Sequence, residues 1–300
     1  MRSIYINSDG WITKFLTRVY RNYFSYFSKD KPLAKNTQNI SIKFAKNKDE
    51  LYQMGFSILE KKLDLSIVKK INDFSISRLS EIERKILKND YDFGRRNRAR
   101  IFYSTETLFE SEDIQSIVFD NELLSLAYLY LEAPPILDIV TMWWSIPSDN
   151  SRLSEEAQLF HFDYDRFKFL KFFFYLTDVT PETGPHCYVK GSHIYKPKEI
   201  FRDGRISDNL ITRYYSNDEI VEICGKKGTI IAADTSGFHK GKPLEKGSRL
   251  LLQIQFCLSK FGQSYESVDE SKISPLFYDY YRNNLIHYEP FFNPKSKYLR

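Results

Sequence analysis

The stretch of sequence that decides the fold covers residues 161–178 and reads HFDYDRFKFLKFFFYLTD. From residue 167 onwards it is dominated by aromatic and aliphatic side chains, which are typical of a strand buried in a sheet. Alternate side chains of a strand point to opposite faces, so Lys171 and Phe173 share one face, and Phe172 and Phe174 share the other. Because the second face is apolar, we predict that helices cover the sheet on that side.

Other strand-like segments lie on both sides of this stretch, and all of them are short. They cover residues 139–146, 158–163, 186–190, 220–224, 229–233 and 248–258. Short strands separated by turn residues predict a sandwich or a barrel. Eight strands in two sheets would form a double-stranded β-helix, the jelly roll. We therefore predict a mainly β protein of the α+β class, with a cupin-like jelly-roll core over about residues 138–260 and helices flanking it.

The chain before the strands has helical periodicity. Apolar residues recur at helical spacing over residues 11–28 and again over residues 50–88, whereas residues 29–47 are mostly polar and predict a loop. No linker composition follows, so we expect an N-terminal arm of residues 1–40 and one domain of residues 41–300. The helix predicted in the arm is aromatic on one face and basic on the other. Such a helix fits docking on the domain or on a membrane interface, and both alternatives stay open.

Two histidines and an aspartate form a set that suits a metal ion. His161 and Asp163 are two residues apart, a spacing that puts both side chains on one face of a strand. His239 follows much later in the chain. Two imidazoles and one carboxylate can occupy one face of an octahedral ferrous ion and leave the opposite face for other ligands. His-x-Asp alone is a weak pattern, frequent in turns and surface pairs, and the distal histidine strengthens it. His186 has no carboxylate two residues later.

A further strand-like run begins at Arg249, ten residues after His239. A guanidinium at its start can grip a carboxylate through two parallel hydrogen bonds. If Arg249 points inward, Leu251, Gln253 and Gln255 point inward with it, and the alternate side chains form an apolar outward face that needs a cover, which suits the N-terminal helices. Buried amides without partners are unfavourable, so we expect the two glutamines to face a wet pocket.

With these residues the chain resembles the phytanoyl-CoA dioxygenase-like family of iron(II)/2-oxoglutarate-dependent oxygenases. The resemblance runs from about residue 138 to residue 256 through His161-Phe162-Asp163, residues 173–179, Gly184-Pro185, Gly191-Ser192-His193, Gly228, Asp234, His239 and Arg249. It implies that His161, Asp163 and His239 hold iron. It also implies that Arg249 binds the far carboxylate of 2-oxoglutarate. Some members carry a serine two residues after the distal histidine as a second 2-oxoglutarate contact. Here that residue is Gly241, so the contact is absent or comes from another residue.

The resemblance implies an enzyme that uses iron(II), 2-oxoglutarate and dioxygen, and that hydroxylates a small molecule with release of succinate and carbon dioxide. Desaturation, cyclisation and epimerisation at the same centre are alternatives, as is a catalytically silent jelly roll that binds a ligand. Halogenation is disfavoured because Asp163 occupies the place that a chloride would need. We assign Lys171, Phe173 and Gln253 to the cosubstrate site. The alternative for Lys171 is an edge position with its ammonium reaching water.

Composition limits the partners and the location. With 44 basic and 39 acidic residues, the net charge of +5 is too small to indicate nucleic acid. It fits an anionic small substrate or weak attraction to a surface, which leaves open a lipid or lipid-linked glycan at a membrane. The three cysteines lie far apart and predict neither a disulfide framework nor a zinc site. We expect a cytoplasmic protein without a transmembrane helix, with peripheral membrane contact open and the oligomeric state undetermined.

Three further features could belong to the pocket. Residues 94–100 contain four arginines, which form either a solvated loop or an anion site at the pocket mouth. Trp143 and Trp144 point to opposite faces of one strand, so we expect one of them to line the pocket. Residues 197–217 interrupt the strands and are rich in charge, which indicates a lid or a substrate loop.

Overall fold

The computed structural model describes residues 37–88, 100–147, 158–164, 166–262, 267–293 and 295–296, together with residues 12, 15–19 and 22. The helices from Thr37 onwards are α1 (Thr37–Lys43), α2 (Ala45–Met54), α3 (Leu65–Ser77), α4 (Glu81–Leu87), α5 (Thr105–Leu108), α6 (Glu112–Val118), α7 (Asn121–Leu131), α8 (Asp208–Ile211), α9 (Pro275–Asn283) and α10 (Leu285–Phe292). The strands are β1 (Phe56–Ile58), β2 (Arg100–Phe102), β3 (Ile136–Ser145), β4 (Phe169–Tyr175), β5 (His186–Val189), β6 (Ile220–Ile223), β7 (Ile230–Ala233), β8 (His239–Gly241) and β9 (Arg249–Cys257).

Two antiparallel sheets form the core of the described part of the chain. The larger sheet has the strand order β1-β7-β4-β9-β3-β2, and the smaller has the order β6-β5-β8. His161 adds to the smaller sheet through an antiparallel bridge with His239, while Phe160 bridges to Ile206. The expected strand at residues 158–163 is thus reduced to these two bridges. The predicted fold class, an α+β protein with a jelly-roll core, is confirmed.

Helices cover the outer face of the larger sheet. Phe172 and Phe174 of β4 and Leu252 and Ile254 of β9 are fully buried in one apolar cluster with residues of α6, α7 and α10. Full burial of a side chain of this size stabilises the fold by about 1.5–3 kcal/mol. The apolar outward faces inferred from strand alternation are confirmed. Part of their cover comes from the C-terminal helix α10, which packs on β3, and not only from the N-terminal helices.

The predicted loop at residues 29–47 is wrong from Thr37 onwards, because α1 and α2 occupy that part of the chain. Phe44 lies between these helices and is buried in the core. The side chain of Asn47, although polar, donates a buried 2.8 Å hydrogen bond to Ser57. Local polarity therefore predicted a loop where contacts with the rest of the fold stabilise helices. Residues 29–36 lie outside the described residues.

Capping residues set several helix ends. Ser80 and Glu83 form a capping box at the start of α4. Asp120 caps α7 by accepting hydrogen bonds from the backbone of Glu122 and Leu123. These side chains satisfy backbone N–H groups that a helix leaves without partners in its first turn. Helix α7 is thereby fixed where it packs on β4 and β9.

The N-terminal arm is described only in part. Residues 15–19 are helical, and Phe15 and Val19 are 56% and 48% exposed. The rest of the predicted helix at residues 11–28, apart from residues 12 and 22, lies outside the described residues, as do residues 94–99 of the arginine-rich segment. Within the ranges that the structure describes, no helix has the length and apolar character needed to cross a bilayer.

Candidate metal and cosubstrate site

The structure brings His161, Asp163 and His239 together beside one cavity. The backbones of His161 and His239 exchange two hydrogen bonds of 3.0 and 2.8 Å. The amide of Asp163 donates a 2.7 Å hydrogen bond to the carbonyl of Thr235 and thereby fixes the third residue. One potential ligand atom from each of the three side chains lies within 4.8 Å of the other two. This separation suits three ligands on one side of a single metal ion.

Backbone carbonyl groups orient both imidazoles. The Nδ1 atoms of His161 and His239 lie 2.9 Å from the carbonyl oxygens of Leu159 and Gly237, respectively. A carbonyl oxygen only accepts hydrogen bonds, so each Nδ1 carries the proton and each Nε2 keeps its lone pair for a metal. Burial, followed by the neighbouring His239, lowers the pKa of His161 well below its usual value. His161 is therefore neutral, as a metal ligand must be.

Asp163 provides the carboxylate of the set. Its Oδ2 atom accepts hydrogen bonds from Lys171 Nζ at 2.5 Å and from Thr235 Oγ1 at 2.8 Å. Burial by itself would raise the pKa of Asp163, but the neighbouring Lys171, followed by His239, outweighs it and holds this pKa well below the usual value. The group is therefore ionised. Two imidazoles and one carboxylate form a donor set that fits ferrous iron.

A cavity of about 280 Å³ lies beside the three residues. Lys171, Phe173, Gln253 and Arg249 all line it, so the expected inward direction of these side chains is confirmed. Lys171 reaches Asp163 and not the solvent at an edge of the sheet. Trp143 is the tryptophan that lines the cavity, whereas Trp144 is buried in the helix-covered core.

Gln255 does not face this cavity, contrary to expectation. Its side-chain nitrogen donates a 2.7 Å hydrogen bond to Asp138, which also pairs with Arg166. Asp138 and Arg166 are fully buried and form two hydrogen bonds of 2.8 and 2.9 Å. Strand alternation gives the inward direction of Gln255 but not its partner, because Asp138 and Arg166 come from distant parts of the chain.

Arg249 lies in the wall of the cavity and is only 3% exposed. Its Nη2 atom donates a 3.2 Å hydrogen bond to Ser145 Oγ, while Nε and Nη1 have no hydrogen-bond partner among the described residues. Burial lowers the pKa of Arg249, but a guanidinium keeps its proton in proteins. A buried charge with two unpaired donors is unfavourable by several kcal/mol unless an anion binds to it. The residue thus fits a carboxylate ligand.

Sequence reasoning missed Arg205 as a pocket residue and left Arg100 undecided. Both line the cavity. Arg205 belongs to the predicted substrate loop at residues 197–217. This loop packs Ile200 and Ile206 against Phe162 in a separate apolar cluster. The loop therefore lies over the segment that carries His161 and Asp163. The charge pattern of the loop indicated a pocket, but only the fold shows which of its basic residues reaches it.

Comparisons with known proteins agree with this geometry. Residues 77–249 match the family model described as phytanoyl-CoA dioxygenase (PhyH). No curated protein is significantly similar in sequence to the chain. Solved structures that resemble it include SnoN, a non-haem α-ketoglutarate-dependent epimerase from nogalamycin biosynthesis, at 14% identity and a TM-score of 0.51, covering 71% of this chain and 82% of that one. EctD from S. alaskensis, crystallised with 2-oxoglutarate and 5-hydroxyectoine, has 18% identity, a TM-score of 0.50 and coverage of 71% and 75%.

The His–Asp–His set in a jelly roll and the match to this family model, which covers more than half of the sequence, place the chain in the class of non-haem iron(II)/2-oxoglutarate-dependent oxygenases. The chain therefore belongs to the phytanoyl-CoA dioxygenase family, and the enzyme class expected from its motifs is confirmed.

Proposed function

We propose that the protein hydroxylates an anionic small molecule, with iron held by His161, Asp163 and His239 and with 2-oxoglutarate bound through Arg249. One observation carries this proposal. His161, Asp163 and His239, whose potential ligand atoms lie within 4.8 Å of one another, line the same cavity as Arg249, and two nitrogens of that guanidinium have no hydrogen-bond partner among the described residues. When bound, iron and 2-oxoglutarate supply the oxidising chemistry, in which dioxygen is reduced as 2-oxoglutarate becomes succinate and carbon dioxide.

The protein's own side chains position the reactants and exclude water. Arg249 orients the cosubstrate by pairing with its far carboxylate. Phe173, Trp143 and Leu251 form an apolar wall of the cavity and belong to one buried cluster between the two sheets. Gln253 lies on the same strand as Arg249, two side chains further along the cavity face. We assign Phe173 and Gln253 to contacts with 2-oxoglutarate, because they line the cavity between Arg249 and Lys171 in the sheet.

Lys171 has a different role in this proposal, because its partner is Asp163. The ammonium group and Thr235 both bond to Oδ2, which leaves Oδ1 of Asp163 for the metal. Partners of this kind orient a metal ligand and fix its charge. We therefore assign Lys171 to positioning the carboxylate ligand rather than to direct contact with the cosubstrate.

Replacing Lys171 by methionine is expected to weaken binding of iron(II) by about 10–100-fold, the usual effect of losing such a partner. Methionine keeps an apolar stem of similar length but removes the ammonium group. Anaerobic titration with iron(II), or with manganese(II) as a stable substitute, measures the change, and Lys171→Arg is the control that keeps the charge. Removal of a cation also reduces repulsion of the metal. Unchanged or tighter binding in Lys171→Met would contradict a positioning role.

The charge of the cavity favours an anionic substrate. Among the described residues, Arg100, Lys171, Arg205 and Arg249 line it, together with one carboxylate, Asp163. Lys171 already pairs with Asp163. Burial and the neighbouring His239 lower the pKa of His161 most. Arg205 lies close enough to lower this pKa further. We propose that Arg205 meets a carboxylate or phosphate of the substrate beside the metal ligands.

A screen with matched compounds tests this function. Candidate carboxylic acids and phosphates are supplied beside their neutral amides or esters, and iron-dependent release of succinate from 2-oxoglutarate is measured. We expect acids to stimulate release and their neutral counterparts not to. Equal stimulation by the neutral compounds would contradict an anionic substrate. If no compound stimulates release although iron and 2-oxoglutarate bind, a silent ligand-binding protein is favoured instead.

The mass of the product distinguishes the possible outcomes of the reaction. Hydroxylation adds one oxygen atom to the substrate, epimerisation leaves its mass unchanged, and desaturation or cyclisation removes two hydrogen atoms. We propose hydroxylation, and a product heavier by one oxygen atom is therefore the expected result.

We also propose where the protein acts and how its chain is divided. Cys187, Cys224 and Cys257 are all free thiols, which supports the cytoplasm as the site of action. We also keep the division into an arm of residues 1–40 and a domain of residues 41–300, and the arm has the two alternatives of docking on the domain or on a membrane surface.

A further inference from the structure

Two arginines of the cavity lie in line across three neighbouring strands. Arg100 in β2 is paired with Ser145 in β3, and Ser145 is paired with Arg249 in β9. Residues paired in this way direct their side chains to the same face of a sheet. Both guanidinium groups accordingly line the cavity. Arg249 comes from the middle of the six-stranded sheet, and Arg100 comes from its edge strand.

Both guanidinium groups reach the same glycine on the opposite sheet. A Cβ atom at Gly241 would lie 3.2 Å from Arg100 Nη2 and 3.6 Å from Arg249 Nη2. Both nitrogens thus lie close to the same point, and the absence of a side chain at Gly241 leaves that point unfilled. Gly241 is also the position where the sequence lacks a polar side chain for a second contact with the cosubstrate.

The guanidinium of Arg100 is held in place by an aromatic ring. It lies 5.3 Å from the ring of Trp143, which itself packs against Phe102 at 5.6 Å between ring centroids. Such a cation–π contact fixes the direction of the group before a ligand binds. Two cations at close range repel each other, and an anion between them converts this repulsion into two attractions. The arrangement is suited to a carboxylate.

We propose that Arg100 and Arg249 together grip the 5-carboxylate of 2-oxoglutarate, with Gly241 leaving the room that this requires. Arg100 thus takes over the second contact that the glycine cannot make. It is a residue that determines specificity for a dicarboxylate cosubstrate. This inference rests on the proposed function, because it assumes that 2-oxoglutarate binds at Arg249.

Binding of two keto acids tests this assignment. The protein is loaded anaerobically with iron(II), and Kd is measured for 2-oxoglutarate and for 2-oxopentanoate, which has the same chain length but lacks the 5-carboxylate. Arg100→Gln is expected to raise Kd for 2-oxoglutarate about tenfold or more, as for loss of a charge-assisted hydrogen bond. Its Kd for 2-oxopentanoate should stay unchanged. Arg78→Gln, which removes an exposed arginine paired with Glu110 away from the cavity, should leave both values as in the unmodified protein.

The measured Kd values distinguish a failure of the role assigned to Arg100 from a failure of the proposed function. Equal Kd values for 2-oxoglutarate in Arg100→Gln and the unmodified protein would overturn the role assigned to Arg100. An equal loss for both keto acids would also overturn it, because that points to general damage of the site. Arg100→Lys keeps the charge and should recover part of the affinity for 2-oxoglutarate alone. If the unmodified protein itself fails to prefer 2-oxoglutarate over 2-oxopentanoate, the proposed function fails instead.

Discussion

Replacing His161 or His239 by alanine is expected to abolish iron binding and succinate release while the protein still folds. Removing a residue that hydrogen-bonds to a metal ligand typically weakens metal binding by about 10–100-fold. Removing the ligand itself should therefore weaken binding by more than about 100-fold. The fold should survive, because each imidazole bonds through Nδ1 only to a carbonyl two residues before it. Iron content after anaerobic loading and desalting measures the first effect, and the melting temperature measures the second.

His186→Gln is the matched control for these variants. His186 also lines the cavity, and its ring lies 5.5 Å from that of His239. It is not part of the group of ligand atoms that the structure brings together. We expect His186→Gln to retain iron. Retention of iron by His161→Ala together with its loss in His186→Gln would show that the metal site has been assigned to the wrong histidine.

Alternation along the strands accounts for most of what the sequence predicted. The period of two grouped Lys171 with Phe173, and it grouped Gln253 with Arg249 on the supposition that Arg249 points inward; all four line the cavity in the structure, while Phe172 and Leu252 lie under the helices. In a buried strand, a shift by one residue would move every side chain to the opposite face of the sheet. The sequence therefore predicts which side chains share a face before the fold is known.

Contacts between distant segments could not be read in the same way. Arg100 lies in a three-residue strand, and it meets Arg249 only because β3 lies between their strands in the sheet. Gln255 likewise donates its hydrogen bond to Asp138, which lies on another strand. Helices α1 and α2 form in a polar stretch because side chains such as Phe44 are buried in the core. In each case tertiary packing, and not local pattern, decides the outcome.

Replacing Arg249 by alanine is expected to weaken 2-oxoglutarate binding severely. Loss of one partner of a buried charge pair costs about 2–5 kcal/mol. Because each 1.4 kcal/mol changes an equilibrium tenfold, this corresponds to a Kd raised by roughly 30-fold to several thousand-fold. Anaerobic titration of the iron-loaded protein with 2-oxoglutarate measures the change. Arg249→Lys keeps the charge but loses the two parallel hydrogen bonds, so an intermediate Kd is expected.

The melting temperature of Arg249→Ala distinguishes loss of binding from loss of structure. Without cosubstrate, Arg249 is a buried cation with two donors that lack partners among the described residues. Its removal relieves an unfavourable charge, so the free variant should melt at a temperature no more than a few degrees below that of the unmodified protein. Saturating 2-oxoglutarate should stabilise the unmodified protein by about 2.7 kcal/mol at one hundred times its Kd, and the variant by less than about 1 kcal/mol at the same concentration. Equal stabilisation of both proteins by 2-oxoglutarate would place the cosubstrate away from Arg249.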